Sequence, residues 1–97
     1  MKNKDMEIIL LIDQITRIAL LVNGATDHNV FFQYSGHVNQ LSVQVHENGW
    51  VENKRYSKGF DVDLNSINAN GLLIEVKTYL TDLYMAEVQN ILMEGAK

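Results

Sequence analysis

The sequence contains no cysteine and no proline, and it carries less positive than negative charge. Without cysteine the chain has no disulfide framework, no thiolate nucleophile and no cysteine-ligated zinc. Lysine and arginine number 8 against 12 acidic residues, so the formal net charge is −4. Because a duplex-DNA binder presents a basic face, this charge balance argues against that class of protein.

What remains is an ordinary globular composition, with 46% hydrophobic and 21% charged residues. We expect residues 1–97 to form a single domain that buries roughly 65% of the surface exposed by the unfolded chain. Such a core is thin, so a partner subunit would add useful burial.

No long hydrophobic run is expected to cross a membrane. The apolar run at residues 8–12 is followed by Asp13, Gln14, Thr16 and Arg17, which interrupt it. Asp5 and Glu7 are unlike the basic start of a secretion signal, so we expect a cytoplasmic location. The lack of proline, the scarcity of arginine and the abundance of asparagine and isoleucine suggest an AT-rich bacterial or phage genome.

A first helix is predicted over residues 4–23, ending at Gly24, which suits the left-handed position after a helix. A core stripe recurs at spacings of three and four: Ile8, Leu11, Ile15, Ile18 and Val22, widened by Ile12 and Ala19. The opposite side is also apolar, with Met6, Ile9, Leu10, Leu20 and Leu21 around Asp13 and Arg17. A helix that is apolar on two sides needs two partners. Asp13 and Arg17 stand one turn apart, either as an exposed ion pair or as a contact that sets the register of a helix–helix interface.

Between the helices, three or four antiparallel strands are predicted from alternating hydrophobicity over residues 30–35, 41–46, 50–56 and 60–64. Asn48-Gly49 matches a type I′ hairpin turn, so residues 50–56 are expected to return beside 41–46 as a polar edge strand.

A second helix is predicted over residues 72–93, with Asn70 or Ser66 as cap candidates. Apolar and polar residues also alternate over residues 74–78, so a strand remains an alternative prediction for that segment. A helix of this length measures about 33 Å, whereas the strands reach about 20–27 Å. The helix should therefore extend past its sheet and leave apolar residues near its end uncovered.

The predicted fold is therefore α+β: an antiparallel meander of three or four strands flanked by long N- and C-terminal helices packed on one face. We expect a homodimer. Its candidate interface residues are Leu10, Asp13, Arg17, Leu20, Leu21, Ile91 and Leu92.

The residues that could carry chemistry do not form a known site. His28, His37 and His46 recur every nine residues, but His37 and His46 have opposite strand parity and should face opposite sides. Asp61 and Asp63 share a strand face without a third ligand, as solvated carboxylates would. Glycine-rich phosphate loops and nucleophile elbows are absent. We therefore expect no catalytic residue, no cofactor, no bound metal and no enzymatic activity.

Aromatic and basic residues alternate after the Asn48-Gly49 turn: Trp50, Lys54, Arg55, Tyr56 and Lys58. Single-stranded nucleic acid is bound by such combinations, and so are protein partners. Charged residues on an edge strand also prevent edge-to-edge pairing, which explains them without any ligand.

Short segments of the chain carry a resemblance to a known group of proteins. They are Leu41-Ser42-Val43 before Asn48-Gly49, Phe60-Asp61, and Ile74-Glu75-Val76 followed by Leu80. In these the chain resembles the small uncharacterised α-β(3–4)-α proteins of low-GC Gram-positive bacteria and their prophages, the YkuJ-like type. The resemblance covers about half of the chain and implies an α+β fold without assigned catalytic residues.

We therefore expect a bacterial or prophage accessory protein that is not an enzyme and that acts through contact with an unidentified protein partner. One alternative is a nucleic-acid accessory protein that binds single strands through Trp50, Lys54, Arg55 and Tyr56, although the negative net charge makes nucleic acid the weaker hypothesis. The other is an inhibitor or immunity protein that offers an acidic surface to a basic partner.

Overall fold

The protein consists of two long helices and a three-stranded sheet. The computed structural model describes residues 3–95, in the order α1 (Asn3–Ala25), β1 (Asn29–Ser35), β2 (Gln40–His46), β3 (Lys58–Asp63) and α2 (Ala69–Gly95). The strands form one antiparallel sheet with β2 in the middle. Both helices pack against each other and against one face of this sheet, so the predicted α+β class is confirmed.

Helix α1 forms because its apolar residues recur at helical spacing, and its predicted core stripe is confirmed. Ile8, Ile15, Ala19 and Val22 are buried, and Leu11, Ile12 and Ile18 pack beside them.

The end of α1 differs from the prediction. Gly24 does not have a positive φ, and the helix continues to Ala25. Thr26 ends it instead: its backbone N–H and its hydroxyl donate to the carbonyl oxygen of Val22, at 3.1 and 2.7 Å. Because Thr26 satisfies this terminal carbonyl, no left-handed residue is needed, and the prediction for Gly24 was wrong.

The sheet buries the predicted alternating residues. Leu41, Val43 and Val45 of β2 are fully buried and lie opposite Tyr34, Phe32 and Val30 of β1 on one side and Val62, Phe60 and Lys58 of β3 on the other. The intervening residues of β2 face the other side of the sheet, as the two-residue period requires.

The predicted edge strand at residues 50–56 is wrong, because these residues form a loop between β2 and β3. Asn48 and Gly49 do have positive φ angles, 66° and 105°. The chain nevertheless does not return along β2, because the N–H of Trp50 donates to the Asn29 Oδ1 atom at 2.7 Å. The meander has three strands among the described residues, and its third strand is β3.

Helix α2 starts earlier than predicted, at Ala69, and the alternation at residues 74–78 is helical. The first helical hydrogen bond runs from the N–H of Leu72 to the carbonyl oxygen of Asn68. Asn68 therefore precedes the helix, and neither predicted cap residue holds that position. Ser66 accepts a hydrogen bond from the N–H of Asn68, and Asn70 lies inside the helix.

The two helices run parallel, side by side. Asn70 Nδ2 donates to Glu7 Oε2, and Lys77 Nζ donates to Gln14 Oε1, both at 2.9 Å and both across 63 residues of sequence. If the offset of 63 residues continues along both helices, Ala25 lies beside Val88. Helix α2 therefore continues for about 10 Å past the end of α1. After Leu80 no described side chain of α2 is fully buried, which confirms the predicted overhang.

Candidate functional site

The side of α1 opposite its core stripe remains uncovered. Leu20 is 65% exposed and Leu10 54% exposed, and Met6, Ile9 and Leu21 are exposed as well. Fully burying one leucine side chain is worth about 1.5–3 kcal/mol, so this stripe is a costly surface to leave in water. Exposed apolar surface of this kind is typical of a protein or membrane contact site, although Asp13 and Arg17 divide it here.

The predicted pair Asp13 and Arg17 lies in the middle of this stripe. Arg17 Nη2 is 3.6 Å from Asp13 Oδ2, and both side chains are mainly exposed. An exposed pair one helical turn apart contributes about 0.3–0.5 kcal/mol to stability, so its effect on the fold is small.

Helix α2 adds a second uncovered apolar region near its end. Ile91 is 54% exposed, Leu92 67% and Met93 69%. Met85 lies two turns before Leu92 on the same side of the helix and is also exposed. We call eight of the exposed apolar residues of the two helices the outer helical face: Met6, Leu10, Leu20, Leu21, Met85, Ile91, Leu92 and Met93. Ile91 and Met93 lie about 100° to either side of Leu92, so they extend this face around the end of α2. Met85 was not among the predicted interface residues, although its spacing of seven from Leu92 is visible in the sequence.

The composition of α1 is also relevant to membranes. Met6–Ala25 is 20 residues long with a mean hydropathy of 1.6, which is long and apolar enough to cross a bilayer by length and composition. Asp13 and Arg17 lie within this segment, and the expectation that they keep it from crossing a membrane stays a prediction. The same helix supplies the buried stripe that packs on the sheet, so its apolar character has a structural role as well.

The aromatic and basic residues after β2 lie on the 47–57 loop. Trp50 is 55% exposed, and Lys54 and Arg55 are exposed beside it. Because Lys54 and Arg55 are not on a strand, they do not protect a sheet edge, and that interpretation was wrong for these two residues, whereas Lys58 does lie on an edge strand. Lys58 begins β3, with its Nζ atom 5.3 Å from the centre of the Phe60 ring.

Tyr56 fixes the end of this loop against the outer side of the sheet. Its ring lies edge-on to His46, with ring centres 6.5 Å apart, and covers Gly59. A Cβ atom at Gly59 would come within 2.6 Å of the Tyr56 ring, so glycine is needed for this contact. The Phe31 ring covers the other side of His46, with ring centres 5.4 Å apart, and His46 is therefore a buried polar residue.

The other titratable residues are dispersed. The backbone N–H of Asn48 donates to His28 Nδ1 at 2.9 Å, whereas His37 lies in the turn at the far end of β1. Asp61 accepts a hydrogen bond from Ser42, and Asp63 accepts one from the N–H of Asn65. In residues 3–95 no three histidine or acidic side chains are grouped as metal ligands.

One polar contact ties α2 to the 47–57 loop. The hydroxyl of Tyr79 donates to Glu47 Oε1, and its ring lies 5.8 Å from that of Phe60. Burial, and then the hydrogen bond and negative charge of Glu47, raise the pKa of Tyr79 from 10.0 to about 12. The phenol therefore keeps donating to Glu47 up to a more alkaline pH than an unperturbed tyrosine would.

A cleft of about 470 Å³ opens between the first half of α1 and the end of β1. Among the side chains that the structure describes, its lining is mostly apolar and uncharged: Ile8, Ile9, Ile12, Tyr34, Asn39, Leu64 and Asn65. The hydroxyl of Tyr34 donates to Asn39 Oδ1 at 2.8 Å, and Asn39 Nδ2 donates to Asn65 Oδ1 at 3.0 Å. These contacts form the polar rim of an otherwise apolar cleft.

No protein-family model, curated protein or solved structure matches this chain. The resemblance to YkuJ-like proteins therefore stays a prediction. The function proposed below is inferred from the geometry of the molecule.

Proposed function

We propose that this chain is a non-enzymatic accessory protein of bacterial or prophage origin, cytoplasmic, that acts through protein contact and forms a homodimer. The observation that supports this proposal is the outer helical face, which one copy leaves open along α1 and at the end of α2. A second copy presents an identical apolar face, so the two can cover each other across a twofold axis.

The charged pair supports a protein partner for this face over a lipid surface. Helices that lie on membranes carry many basic residues beside their apolar side. Within α1 the basic residues are Lys4 and Arg17, and the whole chain has a net charge of −4. Anionic lipids attract such a surface poorly, whereas Asp13 and Arg17 can pair with Arg17 and Asp13 of a second copy and fix its register.

Light scattering over a range of protein concentrations tests the homodimer. We expect wild-type protein to dimerise at micromolar concentration and Leu20→Glu to weaken the dimer more than tenfold, because it places a charge where a leucine would be buried. Ile67→Glu is the matched control, since Ile67 is 87% exposed on the connector before α2 and away from the outer helical face. Circular dichroism would check that both variants fold.

Three results would count against the proposal. A strict monomer at high micromolar concentration would leave the outer helical face without this partner. An equal loss in Ile67→Glu would show that added charge, and not the position of Leu20, weakens association. Adding anionic lipid vesicles to the same samples would reveal whether α1 prefers a membrane surface, which would replace the homodimer as the explanation.

A further inference from the structure

The two edges of the sheet differ in how well they resist pairing with another strand. Strand β3 carries Lys58, Asp61 and Asp63, and charged residues of this kind discourage edge-to-edge pairing. Strand β1, the other edge, has the sequence NVFFQYS, without charge, glycine or proline. This edge therefore lacks the usual side-chain protection.

One residue of α1 already occupies part of the β1 edge. The Asn23 Oδ1 atom accepts a hydrogen bond from the N–H of Val30 at 2.7 Å, and Asn23 Nδ2 donates to the carbonyl oxygen of Val30 at 3.0 Å. The carboxamide thus bonds Val30 as the peptide groups of a fourth strand would. It also shows which backbone groups of β1 point away from β2.

Antiparallel pairs alternate, so every second residue of an edge strand directs its N–H and C=O outward. Since Val30 does so, Phe32 and Tyr34 do so as well. Among the contacts that the structure describes, no turn, loop or side chain bonds these outward groups. Two successive positions of the edge are therefore open to an added strand.

The side chains at these positions are open too. Phe32 and Tyr34 face the helices, yet they are 42% and 55% exposed, because α1 does not cover this end of β1. The apolar cleft beside Tyr34 lies on the same side, against Ile9 and Ile12. A strand placed along the edge would project alternate side chains toward these rings and the cleft.

We propose that the β1 edge binds an extended segment of another protein, with two apolar side chains two residues apart. The backbone of that segment pairs with Phe32 and Tyr34, and its apolar side chains pack on the two rings and in the cleft. Strand addition of this kind gains affinity from main-chain hydrogen bonds and specificity from the side-chain pocket. The inference rests on the proposed function, in that the chain acts through protein contact, but it uses a surface separate from the outer helical face.

A second copy of β1 can form two such pairs, Phe32 with Tyr34 and Tyr34 with Phe32, which is as many as the two open positions allow a free segment. In the proposed homodimer, however, the second copy covers the outer helical face, and a twofold axis closes that assembly. The β1 edge is therefore left to a different occupant. The inward side chains of that occupant should be uncharged, because the described lining of the cleft offers no charged partner.

The test begins with selection from a display library of random seven-residue peptides on the wild-type protein. We expect enrichment of apolar residues two positions apart. The best peptide is then methylated at one backbone amide at a time. Because only alternate amides face the edge, methylation should weaken binding at every second position and leave the positions between nearly unchanged. This pattern is the signature of strand pairing and requires no change to the protein.

A protein variant gives the matching evidence from the other side of the contact. Tyr34→Pro removes one outward N–H, and proline is tolerated on an edge strand where the N–H faces solvent. We expect it to weaken the selected peptide roughly tenfold. Tyr34→Leu keeps that N–H but removes the ring, so it measures the side-chain contribution alone, and we expect it to lose less affinity than Tyr34→Pro. Leu20→Glu should bind the peptide as wild type does, so failure of the homodimer and failure of this inference are separable.

Several results would overturn the inference. They are the absence of enriched peptides, methylation effects without a period of two, and equal peptide binding by Tyr34→Pro and Tyr34→Leu. Loss of the homodimer in Tyr34→Pro, with no peptide bound by wild type, would assign the edge to a second copy instead.

Discussion

Replacing Leu80 or Leu92 of α2 by alanine distinguishes the stability of a single chain from the stability that a dimer adds. Leu80 is 0% exposed, and truncating such a core leucine to alanine costs about 2–5 kcal/mol. Leu92 is 67% exposed, so one chain buries about a third of its side chain. At about 1.5–3 kcal/mol for full burial, Leu92→Ala should cost an isolated chain about 0.5–1 kcal/mol. In a dimer that covers Leu92 the loss should approach 2 kcal/mol per chain.

Urea unfolding followed by circular dichroism, at protein concentrations about 100-fold apart, measures both effects. For a dimer that dissociates into folded chains at the lower concentration, this change raises the apparent stability by up to about 2.7 kcal/mol, whereas a monomer shows no change. We expect Leu80→Ala to be less stable than wild type by the same amount at both concentrations. The loss of unfolding free energy in Leu92→Ala should be larger at the higher concentration. A wild-type midpoint independent of concentration, together with a loss below about 0.5 kcal/mol in Leu92→Ala, would refute the reasoning.

Gly24→Ala should stabilise the protein by about 0.5–1 kcal/mol in the same assay, because Gly24 is helical and no atom lies within 4 Å of the added Cβ; a destabilisation would indicate a left-handed Gly24. Asn23→Ala should cost about 1–3 kcal/mol, because Val30 is buried and would lose both of its edge hydrogen bonds, and an unchanged unfolding midpoint would contradict that role. The pKa of Tyr79 is raised in the fold from 10.0 to about 12, so the resulting stability is present below pH 10 and is lost as the pH rises toward 12. Tyr79→Phe should not show this loss of stability between pH 10 and pH 12, as unfolding measured at each pH would reveal. An identical dependence of stability on pH in Tyr79→Phe and wild type would refute the assignment.

Much of the candidate interface could be predicted from sequence. Leu10, Leu20 and Leu21 were recognisable because a helix has a fixed period, so a second apolar stripe must lie opposite the first. The exposure of Leu92 could be predicted because the second helix is longer than the strands on which it packs. The cleft and the open β1 edge were not predictable, since both depend on the path of α1 across the sheet. The alternation that places Phe32 and Tyr34 on the helix side is the same whether or not a helix covers them.

The sequence by itself determined where the helices and the paired strands form, because their periods of 3.6 and 2 residues are local properties of the chain. It also determined which side of each element is buried, as Ile15 and Val43 show. Only the tertiary structure decided that the residues after Asn48-Gly49 form a loop, because the N–H of Trp50 bonds Asn29, a residue distant in sequence. The tertiary structure likewise decided that Asn23 blocks Val30 and leaves Phe32 and Tyr34 open, since that depends on how α1 lies beside β1.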